Sequence, residues 1–169
     1  MNNKMDKTYH IEYVDAYYIY TKNIGQTKLS LFESYGYIKI NVDNIIVAFV
    51  KRKISNGKEE VGWGLVIPNT ALFSMKDTIN KEILKNLKTG MSVAVTWRDV
   101  VAFDYGSQRK DCPIMYTEGI LVRIKSDHIV LKDPETIGIY PGSIRNHPQE
   151  KPTFYIIPIS LITDVAIIK

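Results

Sequence analysis

Apolar and polar residues alternate along much of this chain, which is the pattern of half-buried antiparallel strands. In the stretch IKINV at 38–42, aliphatic residues alternate with Lys39 and Asn41. In VRI at 122–124, Arg123 takes the polar position between two aliphatic residues. The stretches HIEYVDAYYIY and SVAVTWRDVVAF are also rich in the β-branched and aromatic residues that strands favour. The pattern therefore predicts a mainly β protein built from short strands.

Polar residues typical of turns separate the apolar stretches. Asp-Asn at 43–44 and Asp-His at 127–128 each stand between two such stretches. Asn-Gly at 56–57 is a stronger signal, because it readily adopts the positive φ angles of a type I′ hairpin turn. We therefore predict turns between strands at all three places, the last of them a hairpin.

One segment departs from the β pattern. In KDTINKEILKNLKTG the apolar residues recur at helical spacing, with Asp77 or Thr78 as a candidate N-cap and Gly90 as a candidate end. The spacing predicts a short α-helix near 78–88 that connects two parts of the chain and packs on the second.

The two halves of the chain repeat each other. The matching landmarks, in order, are YVDA at 13–16 and WRDV at 97–100, Gly36 and Gly119, Asp43 and Asp127, and VIPNTAL at 66–72 and IIPISLI at 156–162. An ordered set of landmarks at a nearly constant spacing indicates an internal duplication. We predict two tandem units, residues 1–76 and residues 77–169.

Composition and charge narrow the class of protein only a little. The apolar content of 45% is that of a globular chain, and the net charge of +4 permits an anionic partner without requiring one. Cys112 is the only cysteine, which excludes an intrachain disulfide. The start MNNKMDKTYH lacks the apolar stretch of a secretory signal, and the longest apolar runs, such as 45–50, are far below the roughly 18 residues that span a bilayer. We predict a cytoplasmic protein without membrane contact.

The order of these elements resembles the Sm-like (Lsm) superfamily. The stretches GILVRIKSDHIVLKD (119–133) and FYIIPISLITDVAII (154–168) are similar to its two motifs. Small uncharacterised Sm-like proteins, often phage-associated, share a W-x-D strand, a T-x-G-x-L strand and a closing IP-x-x-x-I strand, which are matched here by Trp97, Asp99, Thr117, Gly119, Leu121, Ile157, Pro158 and Ile162. The resemblance covers 77–169 directly and 9–75 through the repeat. It implies a mainly β fold of two tandem Sm-like/SH3-like bent five-stranded antiparallel barrels joined by a short α-helix.

The RNA-binding pocket of that superfamily is not preserved. The usual Met-Asn pair is replaced by Asp-Asn at 43–44 and Asp-His at 127–128, and the usual Arg-Gly is replaced by Ile-Pro at 67–68 and 157–158. Binding of RNA or single-stranded nucleic acid therefore stays an alternative, through the Lys-rich hairpin and the long loop 132–152. Its candidate residues are Asn44, Lys51, Arg52, Lys53, Lys58, Arg123, His128, Tyr140, Arg145 and His147. A hairpin tip that only keeps the edge soluble, and a loop without a ligand, remain open for the same residues.

Catalysis and cofactors find little support in the sequence. The three histidines are scattered, Cys112 stands alone, and no nucleophile has a base beside it, so we predict no metal, no cofactor and no enzyme. Asp15 and Asp99 recur in both halves, and for this reason we assign them a structural role, such as bonding backbone amides at a strand end.

The favoured function is a non-catalytic module for oligomeric assembly or scaffolding; a small-ligand binder is a further alternative. In an Sm-like barrel the fourth strand of one unit can pair with the fifth strand of the next. The corresponding segments here are 62–67 and 70–74 in the first half, and 153–157 and 160–168 in the second. We therefore expect a homo-oligomer built through barrel edge strands, such as a ring of two-barrel chains.

Overall fold

The computed structural model describes residues 8–41, 45–53, 59–72, 81–104, 111–140 and 150–168. Within these ranges the chain forms eleven strands: β1 (Thr8–Val14), β2 (Tyr17–Ile19), β3 (Leu31–Asn41), β4 (Ile45–Lys53), β5 (Glu59–Pro68), β6 (Ser92–Arg98), β7 (Val101–Asp104), β8 (Ile114–Ile124), β9 (His128–Tyr140), β10 (Phe154–Pro158) and β11 (Ile162–Ile167). Three short 3-10 helices accompany them, at Asn69–Ala71, Lys81–Leu84 and Ile159–Leu161. The prediction of a mainly β chain is confirmed. No helix in the described ranges has the length and apolar character needed to cross a membrane.

The strands form two antiparallel sheets. One sheet has the order β1-β3-β4-β5-β7, and the other has the order β11-β6-β8-β9-β10-β2. The predicted turns at 43–44 and 56–57 lie outside the described residues, but the strands on either side of them pair as expected. Neither described sheet closes into a barrel, so the two predicted barrels are not confirmed.

Each half of the chain gives one short strand to the sheet of the other half. After β1 the chain passes Asp15 and leaves its own sheet, and β2 pairs with β10. After β6 it passes Asp99 in the same way, and β7 pairs with β5. The edges of β5 and β10, which the sequence suggested for contacts between molecules, are thus partly covered from within the chain.

The repeated IP motif forms the same local structure twice. Pro68 has φ −59° and ψ 138°, and Pro158 has φ −58° and ψ 133°. Each proline is followed by a 3-10 helix, because proline fixes φ and has no N–H with which to continue a ladder. The repeat seen in the sequence is therefore also a repeat of backbone geometry at this place.

The segment predicted as an α-helix near 78–88 is different in the structure. Residues 78–80 lie outside the described residues, and the rest contains only the 3-10 helix Lys81–Leu84. An isolated helix of this length is marginal in water, so packing and backbone ties decide its form. Leu84 and Leu87 pack against the core, and the Gly90 N–H donates to the Leu121 carbonyl at 2.7 Å. The connector does pack on the second half, as predicted.

One hydrophobic cluster draws on both halves of the chain. Ile11, Leu65 and Ile67 from the first half are buried in the same cluster as Trp97 and Leu121 from the second. The division of the sequence into 1–76 and 77–169 stays a prediction. The exchange of β2 and β7 gives the halves a shared interior.

Candidate functional site

The turn at 127–128 joins β8 to β9 and is fixed by two backbone hydrogen bonds. The Lys125 N–H donates to the His128 carbonyl at 2.8 Å, and the Ile159 N–H donates to the Asp127 carbonyl at 2.9 Å. His128 begins β9 opposite Pro158 and is only 2% exposed. The turn that the sequence predicted is therefore present, but its histidine points into the protein.

The loop between β2 and β3 brings a hydroxyl to this histidine. Because β2 belongs to the sheet of β10, the residues that follow it run over the second half of the chain. Ile24 and Leu29 pack against the buried cluster around Val130, and the Tyr17 hydroxyl donates to the Lys28 carbonyl at 2.6 Å. These contacts hold the loop in place around residue 27.

Thr27, His128 and Asp127 form a chain of hydrogen bonds. Thr27 Oγ1 lies 2.9 Å from His128 Nε2, and His128 Nδ1 lies 2.6 Å from Asp127 Oδ1. A carboxylate accepts, so we assign the imidazole proton to Nδ1, which leaves Nε2 of the neutral ring to accept from the Thr27 hydroxyl. Thr27 is half-buried, whereas the imidazole is fully enclosed.

Arg123 completes this group from the end of β8. Its Nη1 donates to the Gly25 carbonyl at 2.6 Å and lies 3.3 Å from Thr27 Oγ1. The threonine hydroxyl therefore stands between a cation that donates to its oxygen and an imidazole nitrogen that accepts its proton. This is the arrangement that activates a hydroxyl nucleophile. We call Thr27, Arg123, Asp127 and His128 the threonine site.

A second polar group lies where the two strand exchanges begin. Asp15 Oδ1 accepts from the Ala16 N–H at 2.8 Å, and the Asp15 and Asp99 carboxyl groups are hydrogen-bonded to each other. Burial, and then the charge of Asp99, raises the pKa of Asp15 to about 8, while burial raises the pKa of Asp99 to about 6. Both carboxyls also accept from the Val100 N–H. This agrees with the structural role that their repetition suggested.

The lone cysteine lies near the carboxyl pair, and its burial disfavours the thiolate form. Cys112 is 5% exposed, and its burial raises the pKa of the thiol to about 12. Thiolate is the nucleophilic form of cysteine, and it is not populated near neutral pH with such a pKa.

Sheet pairing also brings together three groups of metal-ligand type. Glu12 lies directly opposite Glu33 in the β1–β3 ladder, and His10 Nε2 lies 3.5 Å from the Glu33 carboxylate. The ligand atoms of the three residues lie within 4.8 Å of one another. His10 and Glu33 are exposed, so this is a surface group that the scattered histidines of the sequence did not reveal.

The structure brings together two of the residues proposed for nucleic-acid contact, Arg123 and His128, and both contact Thr27. Of the rest, Asn44, Lys58, Arg145 and His147 lie outside the described residues, Tyr140 ends β9, and Lys51, Arg52 and Lys53 lie on β4. In the ladder with β5, Arg52 is opposite Glu60 and Lys53 is opposite Glu59. The register thus places acidic residues beside this basic run.

Sequence inspection missed Thr27 and Asp127 as members of a site. Thr27 stands in a polar loop without a motif, and it is 101 positions from His128. Only the path of β2 into the other sheet makes the two residues neighbours.

The comparisons with known proteins leave the Sm-like resemblance a prediction. No family model, no curated protein and no solved structure matches the chain.

Proposed function

We propose that this protein is an assembly module whose copies associate through the outer edge of β11. The observation that supports this proposal is the exchange of β2 and β7. The first half supplies β2, which pairs with β10 of the second half, and the second half supplies β7, which pairs with β5 of the first. Strand addition at an edge is thus already the way in which the two halves of the chain are joined, and β11 is one of the end strands whose outer edge the described residues leave open.

The outer edge of β11 has the properties of a pairing surface. β11 pairs with β6 on one side, and the described residues supply no strand to its other side. Ile167 is 50% exposed and Ile168 is 37% exposed on this edge, with Asp164 as the one charged residue of the strand. Exposed strand edges with few charges are templates for another strand.

The backbone groups of β11 alternate between the two sides. The Ile168 N–H donates to the Ser92 carbonyl of the neighbouring segment at 2.8 Å. In an antiparallel strand every second residue bonds the same neighbour, so the N–H groups of Val165 and Ile167 point outward. These are the donors that an added strand would use.

The partner that fits this edge is a second copy of the chain. The edges of β5 and β10 are partly covered from within the chain, whereas every copy presents the outer edge of β11, so a contact through β11 joins like with like. Such an isologous contact closes around a two-fold axis as a dimer. Antiparallel pairing of β11 with its copy would join two six-stranded sheets. This form of the proposal replaces the ring that the sequence suggested.

Light scattering at micromolar concentration tests the proposal. We expect a mass of about twice the 19.4 kDa of one chain, and we expect Ile167→Lys to give the single-chain mass. Ile120→Lys is the matched control: Ile120 is 39% exposed, but it lies on β8 between β6 and β9 and has no open edge. A single-chain mass for the native protein, or equal dissociation by both variants, would rule out pairing through β11.

A further inference from the structure

We propose that Thr27 is a nucleophile that accepts an acyl group from small activated esters, with His128 as its general base. This inference does not depend on the assembly through β11. It also goes against the expectation from the sequence, where no nucleophile has a base beside it. The structure supplies the base from a residue 101 positions away.

The distances and burial in the threonine site carry the proposal. Thr27 Oγ1 is 2.9 Å from His128 Nε2, which is within reach for direct transfer of the hydroxyl proton. The 2.6 Å contact from His128 Nδ1 to Asp127 keeps the proton on Nδ1 and leaves Nε2 free to act as the base. A base oriented by a third group is the general signature of an activated hydroxyl.

Arg123 supplies a positive charge beside the reacting oxygen. Its Nη1 lies 3.3 Å from Thr27 Oγ1 and is held there by the 2.6 Å bond to the Gly25 carbonyl. A fixed cation at this place stabilises the negative charge that develops as the hydroxyl loses its proton. It does not need to move during the reaction, because the loop carbonyl already positions it.

The exposed loop lets an ester approach from solvent, and the threonine side chain limits the size of its acyl group. Thr27 is half-buried, and its neighbours Gly25, Gln26 and Lys28 are exposed, so an ester approaches from solvent. The γ-methyl group of threonine crowds the attacking oxygen, which favours short unbranched acyl groups. Activated esters and thioesters suit this site because their leaving groups need little assistance.

The residues of the site account for each bond and each proton in the reaction. Thr27 Oγ1 attacks the ester carbonyl carbon, and its proton passes to His128 Nε2. The bond to the leaving oxygen or sulfur then breaks, and the leaving group takes that proton from Nε2. A threonine ester remains. Water hydrolyses this ester by the same path, giving its proton to His128 while Thr27 Oγ1 takes one back.

Acetylation by p-nitrophenyl acetate tests the site in the full chain. We expect mass spectrometry of proteolytic peptides to show acetyl on Thr27 far sooner than on Thr163. Thr163 is an exposed threonine whose hydroxyl donates to the Thr96 carbonyl at 3.1 Å. Acetylation of Thr27 no faster than that of Thr163 would overturn the proposal, and the hydrogen-bond chain would then be an anchor of the loop.

Three variants separate nucleophilic from structural roles. Thr27→Ser keeps the hydroxyl and removes the crowding methyl group, so it should be acetylated at least as fast as the native protein. Thr27→Val keeps the size of the side chain and should not be acetylated at this position. Asp127 is a positioning residue with a side chain 36% exposed, so Asp127→Asn is expected to fold. It should slow acetylation about 100-fold because the imidazole tautomer is no longer fixed, and the pH dependence of the rate should differ from that of the native protein. Unchanged rates in Asp127→Asn would exclude His128 as the base.

Discussion

Replacing Asp99 by Asn should weaken the pH dependence of stability in this protein. Asp15 and Asp99 share a hydrogen bond at the start of the two strand exchanges, and burial holds the pKa of Asp15 at about 8 and that of Asp99 at about 6. In the unfolded chain both pKa values return to the ordinary 3.8. Between pH 4 and 8 the folded protein therefore binds more protons than the unfolded chain. Its free energy of unfolding must fall as the pH rises through this window.

The size of the effect follows from the charges that are created. At pH 9 both carboxyl groups are ionised, and two charges about 4 Å apart repel by about 4 kcal/mol at an effective dielectric constant of about 20. Both side chains keep some contact with solvent, which lowers this figure, so we expect the repulsion to account for a loss of about 2–3 kcal/mol between pH 5 and pH 9. In Asp99→Asn the repulsion disappears, but the burial that is the largest cause of the raised pKa of Asp15 remains. The variant should therefore lose about 2–3 kcal/mol less than the native protein over the same range.

Urea unfolding followed by circular dichroism at pH 5, 7 and 9 measures this difference. Asp164→Asn is the matched control, because Asp164 is exposed on β11 and the substitution removes the same charge. The control should follow the native protein at every pH. Equal stability of the native protein at pH 5 and pH 9 would refute the argument. So would a control that flattens the profile as much as Asp99→Asn does.

Two further substitutions test the packing of the second half, each by the change in the urea midpoint. Trp97 is fully buried, and its Nε1 donates to Thr117 Oγ1 at 3.0 Å. Trp97→Ala should therefore lower the free energy of unfolding by about 3–5 kcal/mol. The control Tyr20→Ala, at a residue that is 48% exposed, should lower it by less than about 1 kcal/mol. An unchanged midpoint for Trp97→Ala would contradict the buried position. A Cβ at Gly119 would lie 3.0 Å from both the Cβ of Leu131 and the carbonyl oxygen of Lys132, so Gly119→Ala should cost about 1–3 kcal/mol. A Cβ at Gly25 would have no atom within 4 Å, so Gly25→Ala should leave the stability nearly unchanged. Equal effects at the two glycines would contradict the close approach of β8 and β9.

The sequence by itself determined the local structure of this protein. Alternation with a period of two is a property of neighbouring residues, and it correctly predicted strands at 38–41 and 122–124. The turn at 127–128 followed from its polar residues in the same way. The repeat also correctly matched Pro68 with Pro158, because proline restricts its own φ wherever it stands.

For the connector near 78–88, the local pattern of the sequence did not predict the observed structure. Its apolar spacing predicted an α-helix, yet the described part has only a 3-10 helix. Short helices lack enough internal hydrogen bonds to fix their own form. Packing of Leu84 and Leu87 on the core decided it instead.

Only the tertiary structure decided which strands pair across the halves and which side chains meet. No local pattern in β2 or β7 predicts that each pairs in the sheet of the other half. The backbone N–H and C=O groups at a strand edge can bond those of any other strand, whatever its sequence. That exchange places Asp15 beside Asp99 and brings Thr27 to His128 across 101 positions. Both polar groups are therefore products of long-range strand pairing, and the sequence contains their residues without the distances that give them chemistry.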